Sequence, residues 1–141
     1  MTAIAHEHAL TAIRHLDYVI LLCDDPARMR GFYQDVMGFP VYRDRFDGSW
    51  VELRIGSVLL VLRPRGWLAL KGKTYDGVRS PGSASVQLAF RVATAEVDAC
   101  HARLISHGVE ILDPPADQPW GHRTLFFRDP EGNLLEIYAD L

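Results

Sequence analysis

Residues 15–39 read HLDYVILLCDDPARMRGFYQDVMGF, and the periodicity of this stretch changes halfway along. The first part is rich in β-branched and apolar residues, which is typical of a buried strand. From Asp25 onward the apolar residues recur with helical spacing, at Met29, Phe32, Tyr33 and Val36. Asp25 is a favourable helix cap, Pro26 a favourable first residue and Gly38 a favourable stop. The stretch therefore predicts a strand followed by an amphipathic helix.

The same order of elements is predicted twice along the chain. Three short strands follow the first helix, at residues 41–46, 50–55 and 57–62, with a turn at Asp47-Gly48. In the second half, a strand at 85–92 precedes a helix that begins at Thr94, and strands follow at 109–112, 123–128 and 134–138. The helix stops Gly38 and Gly108 lie half the chain apart. We therefore predict an internal duplication of a βαβββ module.

The duplication defines the expected domain organisation and fold class. We predict an N-terminal arm (1–13), a first module (14–64), an inter-module linker (65–84) and a second module (85–141). The linker is rich in Gly, Pro and Ser and is a candidate lid. One helix covers only one face of each sheet, so the other two faces are expected to enclose a cavity. The prediction is an α+β fold of two βαβββ modules with mixed, curved sheets.

Composition excludes several classes of partner. With 141 residues and 48% hydrophobic residues, the chain suits one compact domain. The 15 Lys and Arg residues are outnumbered by 18 Asp and Glu, and no basic cluster exists, so we expect no nucleic acid partner. We also expect no membrane partner and a cytoplasmic location, since no apolar run is long enough to span a bilayer and no secretion signal is recognisable. Cys23 and Cys100 lack paired spacing and are expected to be buried thiols.

Two stretches resemble the vicinal oxygen chelate superfamily, which contains glyoxalases, bleomycin resistance proteins and dioxygenases. Residues 15–39 are similar to its opening strand and helix. Residues 120–138, WGHRTLFFRDPEGNLLEIY, are similar to its closing hairpin, and together with Gln118 they resemble bleomycin-binding members. The resemblance implies paired βαβββ modules, often completed or exchanged across a homodimer, around a cavity for a small-molecule ligand or substrate.

The resemblance also implies four metal-ligand positions, one on the first and last strand of each module. Aligned by the helix stops and the closing turn, they fall on Tyr18, Leu60, Gln87 and Glu136. Leu60 has no lone pair and a neutral Tyr18 is a poor ligand, so only an amide and a carboxylate remain. We therefore expect no intact metal site and no cofactor.

An alternative set of ligands stays open. His122 stands at the start of the penultimate strand, where it would complete a metal site with Gln87 and Glu136. His15 lies three residues before Tyr18, so a straight strand points it to the opposite face. The alternative function is a lyase, isomerase or dioxygenase that uses Mn, Fe, Ni or Zn as a Lewis acid.

Without a metal, Glu136 and Tyr18 are the candidate catalytic residues. Glu136, beside Tyr18 and Tyr138, would act as a general base or as an anchor for a cationic or hydroxylated ligand. A purely structural role, paired with Arg54 or Arg91, stays open.

Aromatic and apolar residues complete the predicted ligand site. Trp50, Leu60 and Tyr138 are predicted to line the cavity, and Trp120 to contact the ligand at its rim. The first hypothesis is a binding module or metal-independent enzyme for a small, partly apolar molecule. Besides the metal-dependent alternative, sequestration of an antibiotic of the bleomycin type is the third hypothesis.

Overall fold

The computed structural model describes residues 9–66 and 86–141, which form two βαβββ modules. A short 3₁₀ helix (Ala9–Ala12) precedes the first module. The first module contains β1 (Tyr18–Cys23), α1 (Pro26–Gly31), β2 (Val41–Arg45), β3 (Trp50–Ile55) and β4 (Val58–Pro64). The second contains β5 (Gln87–Arg91), α2 (Glu96–Ser106), β6 (Ile111–Asp117), β7 (His122–Arg128) and β8 (Leu134–Asp140). The predicted α+β fold of two modules is confirmed.

Each module forms its own four-stranded mixed sheet. The strand orders are β1-β4-β3-β2 and β5-β8-β7-β6. The first strand of each module runs parallel to the last, and the remaining pairs are antiparallel. Because order and direction match in both sheets, the predicted duplication holds at the level of topology.

The first helix begins as predicted but ends differently. The Asp25 carboxylate accepts a hydrogen bond from the Arg28 backbone N–H (3.1 Å), which caps the helix. After Gly31 the chain continues as one π-helical turn (Phe32–Val36) instead of a regular α-helix. This wider turn buries both Phe32 and Tyr33. Gly38 then ends it with a φ of 78°, a left-handed conformation that glycine adopts without strain.

Element ends differ from the predictions where local geometry overrides the sequence pattern. Phe46, predicted in a strand, has a φ of 56° and belongs to the turn with Asp47 and Gly48. Thr94 does not begin the second helix, because its hydroxyl donates to the Asp140 carbonyl (2.8 Å) and α2 starts later. Strand β6 continues through Pro114-Pro115, which is tolerated at a sheet edge with shifted register.

The helices and one face of each sheet share a single apolar core. Its largest buried members from the two modules are Tyr33, Leu21, Met29, Leu53, Leu60, Leu62, Phe127, Leu125 and Leu135. Cys23 lies in this core, where burial raises the pKa of its thiol to about 12, so the thiol is protonated at neutral pH. Cys23 is buried as predicted, whereas Cys100 is only partly buried.

A buried polar network joins the two modules. The Tyr33 hydroxyl, on the π-helical turn, donates to Asp129 Oδ2 in the closing turn of the second module (2.6 Å). Asn133 Nδ2 donates to the same oxygen (2.6 Å). Burial and the Asp129 carboxylate both raise the pKa of Tyr33, which keeps its hydroxyl a donor. The Glu131 carboxylate accepts the backbone N–H groups that follow β1, and the closing turn therefore fixes one module against the other.

Some predicted segments lie outside the described residues. These are most of the N-terminal arm and nearly all of the linker, including its interpretation as a lid. Within residues 9–66 and 86–141, no helix has the length and apolar character needed to cross a membrane.

Candidate functional site

Each sheet has one face against the core and an open face on the other side. On the first sheet, β-strand alternation turns Val51 and Leu53 into the core and their neighbours outward. We call the outward set the first open face; it comprises Tyr18, Ile20, Trp50, Glu52 and Val61. Val61 pairs with Ile20 on β1 and with Glu52 on β3, so these three side chains are neighbours.

The second sheet carries a cavity on its own open face. This cavity has a volume of about 460 Å³. We call its lining the second open face; it comprises Gln87, Ala89, Trp120, His122, Phe126, Glu136 and Tyr138. Five residues predicted for the site from the sequence are thus brought together here. Ala89 and Phe126 were not predicted, although each follows from alternation once the strand pairing is known.

The acidic residue of this cavity is held by an amide. Gln87 Nε2 donates to Glu136 Oε1 over 3.1 Å, between two parallel strands. The predicted structural role of Glu136, pairing with Arg54 or Arg91, is wrong. Arg54 lies over the Tyr42 ring instead, with its Cζ 4.4 Å from the ring centroid. Glu136 thus lines the cavity without a guanidinium partner among the described residues.

Four side chains form a second polar network beside the first. Arg91 donates from Nε to the Tyr138 hydroxyl (3.1 Å) and from Nη1 to Asp140 Oδ2 (2.7 Å). His122 Nε2 lies 3.3 Å from Asp140 Oδ1, and its ring lies against that of Tyr138 with centroids 4.7 Å apart. The hydrogen bond with Tyr138 and the charge of Asp140 raise the pKa of Arg91. The network fixes the orientation of two cavity side chains, His122 and Tyr138.

Two predicted site residues lie on the other sheet. Tyr18 and Trp50 contact each other edge to face, with ring centroids 6.3 Å apart, on the first open face. They do not line the cavity of Glu136 and Tyr138 within one chain. The expectation that Tyr18 lies beside Glu136 is therefore not met inside a single copy.

Leu60 does not line the cavity that holds Glu136, and instead borders a smaller one of about 190 Å³ between the two modules. Leu60 pairs with Val19 and is fully buried in the core. A shift of one residue along a strand moves a side chain to the other face, so Val61 takes the predicted position. Valine also lacks a lone pair, so this position supplies no atom that could bind a metal ion.

The residues present do not fit the metal site that the resemblance implies. The four positions are now Tyr18, Val61, Gln87 and Glu136, which supply one carboxylate, one amide and a phenol. In the part of the chain that the structure describes, no three His, Cys, Asp or Glu side chains are grouped to hold a metal ion. The alternative ligand His122 directs its Nε2 toward Asp140.

Glu52 is a buried polar residue of the open faces that the sequence analysis missed. Its side chain is 2% exposed, and its Oε2 lies 3.5 Å from Arg43 Nε. The only available signal was one acidic residue inside the apolar strand WVELRI. Only the strand pairing shows that it lies beside Val61.

Comparison with known proteins supports the fold and the family. A family model for the Glyoxalase/Bleomycin resistance protein/Dioxygenase superfamily matches residues 15–137. A crystal structure of a glyoxalase/bleomycin resistance protein/dioxygenase from Nocardioides superposes with a TM-score of 0.75 and 22% identity, covering 98% of this chain and 92% of that one.

Two curated relatives are similar in sequence. The uncharacterized protein YraH of Bacillus subtilis is 29% identical over 130 residues, covering 86% of this chain and 94% of its own. The metallothiol transferase FosB of Shouchella clausii is 30% identical over 74 residues, about half of each chain.

Proposed function

Because the chain belongs to the Glyoxalase/Bleomycin resistance protein/Dioxygenase superfamily, we propose that it binds a small, partly apolar molecule on the second open face, without a divalent metal. The observation that carries the proposal is the make-up of the cavity of about 460 Å³. Aromatic side chains surround one polar pair, Gln87 and Glu136, which is the usual composition of a small-molecule site.

The two kinds of side chain have different tasks in this proposal. Trp120, Phe126 and Tyr138 supply apolar contact area, and Glu136 accepts a hydrogen bond from a hydroxyl or cationic group of the ligand. If the bound molecule is a substrate, Glu136 is also the candidate general base. The cavity would then need a proton donor, for which Tyr18 is the candidate.

Tyr18 reaches such a ligand only if a second copy contributes the first open face. Tyr18 and Ile20 are 44% and 42% exposed in the single chain, which is high for neighbouring apolar residues. We therefore propose a homodimer in which the first open face of one copy covers the second open face of the other. Such a cavity would have the aromatic pair Tyr18 and Trp50 as its far wall.

The hypothesis that the site works without a metal predicts that the purified protein holds no stoichiometric Mn, Fe, Ni or Zn. We expect metal analysis, followed by titration with each ion, to give the same weak binding in native protein and in Glu136→Ala. The exposed Glu110→Ala is the matched control for loss of one surface carboxylate. One equivalent of metal per chain that disappears only in Glu136→Ala would contradict the proposal.

A metal-dependent enzyme is the second candidate function. It is favoured by the placement of Gln87, Glu136 and His122 in one cavity, and by similarity to a protein named metallothiol transferase. The metal experiment above decides between the two. Antibiotic sequestration differs from both in predicting tight binding of one ligand per site and no product.

Replacing Trp120 tests the cavity directly. We expect Trp120→Ala to weaken binding of 2-naphthalenemethanol about tenfold, because the indole ring loses its contact with the aromatic probe. Trp120 lies mostly exposed in a loop, so the free energy of unfolding should change by less than about 0.5 kcal/mol. NMR titration of the probe gives the affinity. Ile105→Ala, exposed on α2, is the control, and equal affinities in both variants would place the ligand elsewhere.

A further inference from the structure

The Glu52 carboxylate, on the first open face, has one buried oxygen that accepts no hydrogen bond from a described residue. Its Oε2 is near Arg43, but Oε1 is buried and no described residue donates a hydrogen bond to it. Leaving a buried acceptor unpaired costs free energy, and natural structures rarely keep one without a function. Glu52 is therefore a candidate for contact with a group outside the described chain.

The module duplication relates Glu52 to a residue of the cavity. Glu52 stands directly across from Val61, as Phe126 stands across from Glu136 in the second sheet. The parallel strand pairs match too, since Val61 faces Ile20 and Glu136 faces Ala89. Phe126 lines the cavity, so Glu52 occupies the equivalent position of the first module.

The surroundings of Glu52 limit what it binds. Arg43, on the neighbouring strand β2, stands directly opposite Glu52, and its Nε lies 3.5 Å from Glu52 Oε2. Arg54 also points away from the core beside the Tyr42 ring. The guanidinium groups of Arg43 and Arg54 offset the negative charge of Glu52, which disfavours an approaching cation. A neutral hydrogen-bond donor meets no such repulsion.

We propose that Glu52 is a specificity-determining residue that accepts a hydrogen bond from a hydroxyl or amide N–H group of the bound molecule. The inference rests on the proposed function, because it requires that the first open face forms part of the ligand cavity. It adds a polar contact at the opposite wall from Glu136. The ligand would then carry a donor group at each end of an apolar body.

The test uses two variants and two probes. Glu52→Leu removes the acceptor at similar volume, and Glu52→Gln keeps an acceptor oxygen. The probes are 2,6-naphthalenedimethanol, which carries one hydroxyl for each wall, and its mono-O-methyl ether, which keeps a single hydroxyl for Glu136. NMR titration gives the affinities. We expect native protein to prefer the diol about tenfold, Glu52→Gln to retain part of this preference, and Glu52→Leu to bind both probes with the same affinity to within about twofold.

A measurement without ligand separates this role from a structural one. In the protein without ligand, a buried carboxylate oxygen that lacks a hydrogen-bond donor destabilises the fold. Glu52→Leu should therefore raise Tm by a few degrees. A lower Tm would show that Glu52 stabilises the fold through Arg43 and would overturn the inference. An unchanged preference for the diol in Glu52→Leu would overturn it while leaving the proposed function intact. Failure of both probes to bind native protein would overturn the proposed function and this inference together.

Discussion

Asp129→Ala is expected to lower the free energy of unfolding by about 3–5 kcal/mol. Asp129 is buried and accepts four hydrogen bonds. The donors are the Tyr33 hydroxyl (2.6 Å), Asn133 Nδ2 (2.6 Å) and the backbone N–H groups of Glu131 (2.9 Å) and Asn133 (3.1 Å). Alanine leaves these donors without their acceptor and removes the Tyr33–Asp129 bond between the modules.

Urea denaturation followed by circular dichroism measures this loss. Tyr33→Phe removes only one donor and should cost about 1–2 kcal/mol, because the remaining bonds to Asp129 persist. Asp113→Ala is the matched control, since this aspartate of the same module is exposed on β6. It should change stability by less than about 0.5 kcal/mol. A loss below about 1 kcal/mol in Asp129→Ala would show that the network does not hold the modules together.

The sequence predicted the elements of this fold better than the contacts between them. Asp25, Pro26 and Gly38 mark the first helix through local chemistry, and the structure confirms each. The bond from Tyr33 to Asp129 spans most of the chain, and no local pattern indicates it. Periodicity reports on neighbours in sequence, whereas such a bond depends on how two modules pack.

Strand β4 shows why part of the site was misplaced. Its sequence VLLVLRP is apolar on both faces, so alternation could not tell which residues face the core. Leu60 lies in the core beside Val19, and alternation turns Val61, itself fully buried, toward the first open face. The same ambiguity hid Glu52, whose role depends on lying across from Val61.

The second sheet was predicted more fully because polar residues mark its open face. Glu136 and Tyr138 alternate with core residues along β8, and Gln87 opens β5. Sequence alone could not supply their partners. The strand register places His122 directly opposite Asp140, and it brings Gln87, which stands opposite Leu134, into diagonal contact with Glu136.

Ile20→Asp is expected to raise the dissociation constant of the proposed homodimer by at least about 100-fold. Ile20 lies on the first open face between β1 neighbours and beside Val61, where the second copy would cover it. A two-fold dimer contains the changed position twice. Each buried, unpaired carboxylate costs several kcal/mol, and about 1.4 kcal/mol already changes an equilibrium constant tenfold.

Sedimentation equilibrium over a range of protein concentrations measures this dissociation, and 2-naphthalenemethanol binding should fall in parallel because each cavity loses its far wall. The matched control is Leu112→Asp, since Leu112 is 40% exposed, close to the 42% of Ile20, but lies on edge strand β6 away from both open faces. The control should remain dimeric and bind the probe.

A native protein that is monomeric at micromolar concentration would refute the dimer, and the cavity would then be formed by the second open face alone. If Ile20→Asp leaves the dissociation constant unchanged, the two copies contact each other through another surface. Tyr18 would then not be part of the ligand site.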